Sequence, residues 1–144
     1  MKEKALNLLG LMRRANAISV GEVNTGTTVK AGKAKLLLLA KDASDNAVGR
    51  AAGFKTGKRV LSVDLPFTKA ELSAALGLNG CSMAAVTDMG FSNALLKILC
   101  EMDPEQYTEI AEELKRRSDK AERRKNGAAA RERKKQIGKR RTKA

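Results

Sequence analysis

Leu36-Leu-Leu-Leu-Ala40 is an uninterrupted apolar run of strand length, and no other segment constrains the fold as much. A strand with one wet face alternates apolar and polar side chains, whereas a strand apolar at every position is covered on both faces. Its neighbours supply the cover. Ala5, Leu8, Leu9 and Met12 repeat at i, i+3, i+4, i+7 and predict an amphipathic helix ending near Ala15. Ala17 to Val20 reads as a short strand, and Gly21 opens a second helix to about Ala31. That helix holds Gly26 and several Thr and Val residues, so its propensity is poor and tertiary contacts or a ligand must hold it. Ser44 offers an N-cap for a third helix, with Gly53 as its stop.

Val60 to Val63 reads as a third strand. Thr68-Lys-Ala-Glu71 is a capping box flanked by a hydrophobic staple of Phe67 and Leu72, and Gly77 closes that fourth helix. Met83 to Val86 is the last strand, followed by a helix that buries Phe91, Leu95, Ile98, Leu99 and Met102. Helices alternating with strands predict an α/β fold, a three-layer α/β/α sandwich around a central four-stranded mixed sheet. This domain spans 1–102. Asp103 and Pro104 then suit the cap and first turn of a docking helix over 103–117, with Tyr107, Ile110, Ala111 and Leu114 as its apolar stripe.

Charge sets the rest apart. Residues 114–144 carry 15 Lys and Arg against three acids, while the preceding 113 residues carry 14 bases and 13 acids. The basic block over 118–144 is expected to be a partly disordered helical tail, interrupted at Gly127 and Gly138 and ordered mainly when bound. Such a block seeks a polyanion, because each neutralised phosphate releases counterions. Arg116, Arg117, Arg123, Arg124, Lys125, Arg131, Arg133, Lys134 and Lys135 are its candidate contacts. A solvated tail that only aids solubility is the plainer alternative.

There is no histidine, which removes Ser-His-Asp and Cys-His catalysis and His-ligated metals. Cys81 and Cys100 stand in apolar surroundings and are expected to be buried free thiols of a reducing cytoplasm. No apolar run approaches the ~20 residues of a membrane span, and the charged N-terminus does not resemble a secretory signal. Two glycine-lysine segments, Gly53 to Lys58 and Gly26 to Lys33, lack the spacing and the closing Ser or Thr of a nucleotide-binding loop. Segment 21–35 places a glycine and polar residues at a helix N-terminus, where free amides can receive phosphate oxygens, with Lys30, Lys33 and Lys35 toward its other end. An ordinary surface helix with a basic edge fits it equally well.

Leu9-Gly-Leu-Met-Arg-Arg-Ala15, Gly21-Glu22, the stretch from Ala31-Gly-Lys-Ala-Lys35 through Asp42-Ala-Ser44, and Val86-Thr-Asp-Met-Gly-Phe91 together resemble the kink-turn RNA-binding family of ribosomal proteins. Within it the likeness is to the small bacterial YlxQ-like members, and it covers residues 4–100 but not the basic tail. The resemblance implies an α/β/α sandwich gripping a sharply bent RNA, its second helix carrying a Gly-x-Asn-Glu-x-x-Lys pattern. Here the glycine is Gly21, but Val23, Asn24 and Thr27 replace the Asn, Glu and Lys. The resemblance further implies contacts from Glu22, Asn24 and Thr27. It also implies that the loop of Leu78, Asn79, Gly80 and Cys81 receives an extruded base.

The expectation is therefore a cytoplasmic, monomeric RNA-binding protein and not an enzyme. It would need no metal or cofactor and no small-molecule substrate, and its partner would be ribosomal or ribosome-associated RNA. A protein-interaction scaffold using the acidic segment 101–113, or DNA binding through the tail alone, are the alternatives.

Overall fold

The computed structural model describes residues 2–78 and 80–142, with side chains up to residue 127. Its strands are β1 (Ile18–Val20), β2 (Leu36–Leu39), β3 (Leu61–Asp64) and β4 (Met83–Val86). The helices are α1 (Lys2–Arg14), α2 (Glu22–Lys30), α3 (Asp45–Lys55), α4 (Lys69–Leu76), α5 (Met89–Met102) and α6 (Pro104–Thr142). The four strands form one mixed sheet in the order β1-β4-β2-β3. β2 pairs in parallel with β3, Leu36 opposite Leu61, and antiparallel with β4, Leu36 opposite Val86. β1 lies antiparallel to β4, Val20 opposite Ala84.

The central position of β2 accounts for its composition: all four of its leucines are buried. Leu37, Leu39 and Met83 face one layer, in a core with Val29 of α2 and Ala47 and Ala51 of α3. By strand alternation Leu36 and Leu38 face the other layer, where α1 packs on α4 and α5. Leu9, Met12, Leu95 and Leu99 are buried there. Each such side chain contributes roughly 1.5–3 kcal/mol when removed from water. The three-layer α/β/α sandwich is thus the observed architecture.

The caps follow local sequence. Ser44 Oγ accepts from Ala47 N–H at 3.2 Å, and Asp88 Oδ1 accepts from Phe91 N–H at 2.9 Å. Thr68 and Glu71 complete a reciprocal capping box, and Gly77 closes α4 in the left-handed conformation at φ 70°. α3 differs from expectation. It runs through Gly53 to Lys55, because the left-handed turn falls at Gly57 (φ 74°) instead. On α5 the buried positions are Ser92, Leu95, Leu96, Ile98 and Leu99, while Phe91, Met102 and Cys100 are only half-buried. Leu96 takes an inward position that the expected stripe omitted.

Two compact units divide the chain, Met1–Ala111 and Glu112–Ala144. In the first, Tyr107 is buried and its hydroxyl donates to the Asp64 carbonyl at 2.6 Å. Burial, then the charges of Asp103 and Asp64, push the Tyr107 phenol up to about 12. The second takes in the remainder of α6. The helix continues past residue 117 and through Gly127 and Gly138, where interruption was expected. One glycine costs only about 1 kcal/mol against Ala, and the Ala, Arg and Lys around it are strong helix formers.

Candidate nucleic-acid interface

Gly21 caps α2 at φ 87°, ψ 161°, a conformation that side-chain-bearing residues rarely adopt. Among the described residues no side chain caps the helix, so the amides of its first turn have neither an intrahelical partner nor a cap there. Thr25 N–H is the first to close the ladder, onto the Gly21 carbonyl at 2.9 Å. Gly21 N–H donates to the Met83 carbonyl at 3.1 Å, which ties the mouth of α2 to β4. The positive end of the helix dipole therefore opens beside the last strand.

The segment just before β4 lies against it. Leu78 N–H donates to the Ser73 carbonyl at 2.9 Å, and Cys81 N–H donates to Ser73 Oγ at 2.7 Å. Ser73, buried on α4, thus holds both ends of the turn, and Gly80 completes it at φ 74°. Burial pushes the Cys81 thiol up; the neighbouring Gly21 amide, the Met83 backbone and the Arg13 charge act in the opposite direction. The thiol itself donates to the Met83 carbonyl at 3.1 Å, the same oxygen that accepts from Gly21 N–H, so the mouth of α2, the start of β4 and Cys81 meet there. Leu78 is half-buried and Gly80 exposed; Asn79 lies outside the described residues.

Other candidates are placed less simply. Glu22 is held in an ion pair by Arg50 of α3, a partner that sequence reading did not identify. Asn24 donates its amide to the Val20 carbonyl at 3.1 Å, leaving its side-chain oxygen without a donor among the described residues. Thr27 Oγ1 donates back to the Val23 carbonyl at 3.0 Å and keeps its acceptor capacity. Val23 is 82% exposed at the helix mouth, a large apolar side chain presented to solvent. Lys30, Lys33 and Lys35 are exposed but sit at the far end of α2. At 1.5 Å per residue a helix of 9 residues separates them from Gly21 by about 14 Å. Lys30 lies 5.9 Å from the centre of the Phe54 ring, a cation–π contact.

On α6, Arg116 and Arg117 both bond Glu113, at 2.6 and 3.1 Å. The two guanidiniums, Arg116 first, hold the Glu113 carboxyl below its ordinary range, and Glu113 raises Arg116 in return. Arg123, Arg124 and Lys125 are exposed. The side chains of Arg131, Arg133, Lys134 and Lys135 lie outside the described residues. Among the described residues, no group of three or more potential ligands could hold a metal. No described helix is long and apolar enough to cross a membrane.

The α/β/α sandwich recurs in solved structures. A Bacillus halodurans protein of unknown function shares the fold at a TM-score of 0.58 and 27% identity, over 64% of this chain and 92% of that one. The Giardia lamblia 15.5kD RNA binding protein shares it at a TM-score of 0.55 and 24% identity, over 67% and 82% of the two chains. No family model matches. RNA-binding protein YlxQ of Bacillus subtilis (strain 168) is 35% identical over 100 residues, covering 64% of this chain and 91% of the relative. The Enterococcus faecium protein of the same name is 29% identical over 98 residues, or 68% and 93% of the two chains. The chain belongs to the YlxQ family.

Proposed function

We propose that this chain binds structured RNA and does no chemistry on it. The open amides of α2 would take phosphate oxygens, and the 78–81 turn would meet an unstacked base. The observation that carries this reading is that Gly21 N–H and the Cys81 thiol both donate to the Met83 carbonyl, each at 3.1 Å. This joins an uncapped helix mouth to a small, partly apolar turn whose Cys81 N–H donates to Ser73 Oγ. Both curated relatives bear the name of RNA-binding proteins, which supports the same reading. Asn24 and Thr27 would add polar contacts. Lys30, Lys33 and Lys35 would reach a separate part of the backbone, one helix length away. Glu22 would act through its pair with Arg50, orienting the helix mouth instead of touching a base.

The basic segment of α6 would contribute salt-sensitive, sequence-independent attraction. A ribosomal or ribosome-associated RNA, met in the cytoplasm by a monomer, is the partner this reading favours. Ultraviolet cross-linking in cells, with sequencing of the attached RNA, tests it directly. Recovery of one structured RNA element supports the proposal; recovery of RNA with no shared element reduces the protein to a charged tail. Deleting 118–144, which removes 12 bases and three acids, should flatten the slope of log affinity against log salt while the preference for that element survives.

A further inference from the structure

A groove of about 760 Å³ runs between α1 and α4. Leu6, Gly10 and Ala75 line its floor, Arg13 and Arg14 flank it, and Gly77 lies at its rim, one residue before the 78–81 turn. The two helices are in van der Waals reach along it: a Cβ at Gly10 would stand 3.4 Å from the Ala75 carbonyl oxygen. Two arginines in the last turn of a helix complement its dipole and need no further explanation on that ground alone. This pair differs in what surrounds it. Both side chains are exposed, and neither makes a salt bridge among the described residues. The one carboxylate in the groove, Glu71, is already bound by Lys2 and by the Thr68 cap. Arg13 is also near enough to Cys81 for its charge to bear on the thiol.

We infer that Arg13 and Arg14 form a second RNA contact, taking the sugar–phosphate backbone of the strand that leaves the 78–81 turn along the α1–α4 groove. This rests on the proposal that the turn receives an RNA base. The charge complementarity is direct: an unpaired bidentate donor pair beside a groove whose acid is neutralised suits a phosphate chain. A bound RNA would then be held from two sides of the turn, by the mouth of α2 and by the end of α1.

The test uses the full chain and the RNA element recovered by cross-linking, re-synthesised, with excess polyuridylate present to occupy the tail. Arg13→Gln/Arg14→Gln removes two phosphate contacts. At about 0.8 in salt slope per contact, it should lower the slope by roughly 1.6 and weaken binding about 20-fold at 0.15 M salt. Arg13→Lys/Arg14→Lys keeps both charges and should retain most of the slope. A comparison variant, Asn24→Ala/Lys33→Glu, reports on the α2 surface. If it weakens binding while the Gln pair retains full affinity and slope, the groove is idle and only the present inference fails. If neither variant weakens binding, the turn and the helix mouth are not the RNA site, and both proposals fall. A Gln pair that loses affinity with an unchanged slope would also overturn the inference, since the loss would not come from phosphate.

Discussion

Gly26 lies in the middle of α2, where glycine is a poor residue, and Gly26→Ala distinguishes two opposed effects. Helix propensity alone predicts a gain of about 1 kcal/mol. The structure predicts the reverse. A Cβ at Gly26 would stand 2.8 Å from Cε1 and Cζ of Phe54, well inside carbon–carbon contact distance. Phe54 cannot swing away freely, because it packs against the core of Val29, Leu37 and Ala51 and lies under Lys30. Overpacking of this kind costs roughly 1–3 kcal/mol, so the net effect should be a loss of about 1 kcal/mol. In a Phe54→Ala background the clash is gone, and Gly26→Ala should then stabilise by about 1 kcal/mol. That gives a coupling near 2 kcal/mol. Urea unfolding of the four proteins measures it. With no Trp and a single Tyr, Tyr107, intrinsic tyrosine fluorescence reports on the folded domain without interference from the tail. A Gly26→Ala chain more stable than its parent, with Phe54 in place, would refute the reasoning.

Thr25 is fully buried and its hydroxyl has no partner among the described residues, so Thr25→Val should stabilise by about 1 kcal/mol in the same assay. Tyr107 has its folded pKa raised to about 12 from 10, so its share of stability is intact below pH 10 and declines as pH rises toward 12. Tyr107→Phe should cost about 1 kcal/mol at pH 7 and lose less further stability than the parent between pH 9 and 11. Ser73→Ala removes the hydroxyl that holds Cys81 N–H, untying the far end of the 78–81 turn while the Leu78 bond to the residue 73 carbonyl remains. It should cut RNA affinity more than does a core truncation of equal destabilisation, such as Leu96→Ala, measured under fully folded conditions. Val23→Asn with Thr27→Lys restores donors at the mouth of α2, and should strengthen binding to a generic kink-turn RNA in a titration. Unchanged affinity would mean that this helix serves a different target.

The sheet and its caps were legible because they depend on local pattern. The leucines of β2 announce a strand covered twice, and Thr68 with Glu71 forms a cap within four residues. Gly53 misled because any glycine near a helix end resembles a stop, and only the positive φ at Gly57 shows which one turns. Gly26 read as a weakness of α2, whereas it is the socket for a ring 28 residues later. The Glu22–Arg50 pair was equally hidden, since nothing near residue 22 points to residue 50. For the site, helix arithmetic alone separates Lys30, Lys33 and Lys35 from Gly21. That Gly21 meets Cys81 has no local signature at all. The expectation came from family resemblance, and the physical cause is the register that sets Val20 opposite Ala84.

That register also bears on the order in which the molecule acquires its properties. Among the described residues, β1 pairs with no strand except β4, more than sixty residues downstream by their paired positions, Ile18 with Val86 and Val20 with Ala84. Contacts of such sequence separation close late, because the intervening chain must first give up its freedom. The mouth of α2 and the 78–81 turn stand at opposite sides of that pairing. A nascent or partly unfolded chain therefore possesses neither half of the surface in working form, although the basic stretch at its C-terminus carries its charge regardless. Attraction to RNA in general would survive unfolding, while discrimination among RNAs would exist only in chains whose first and last strands have met.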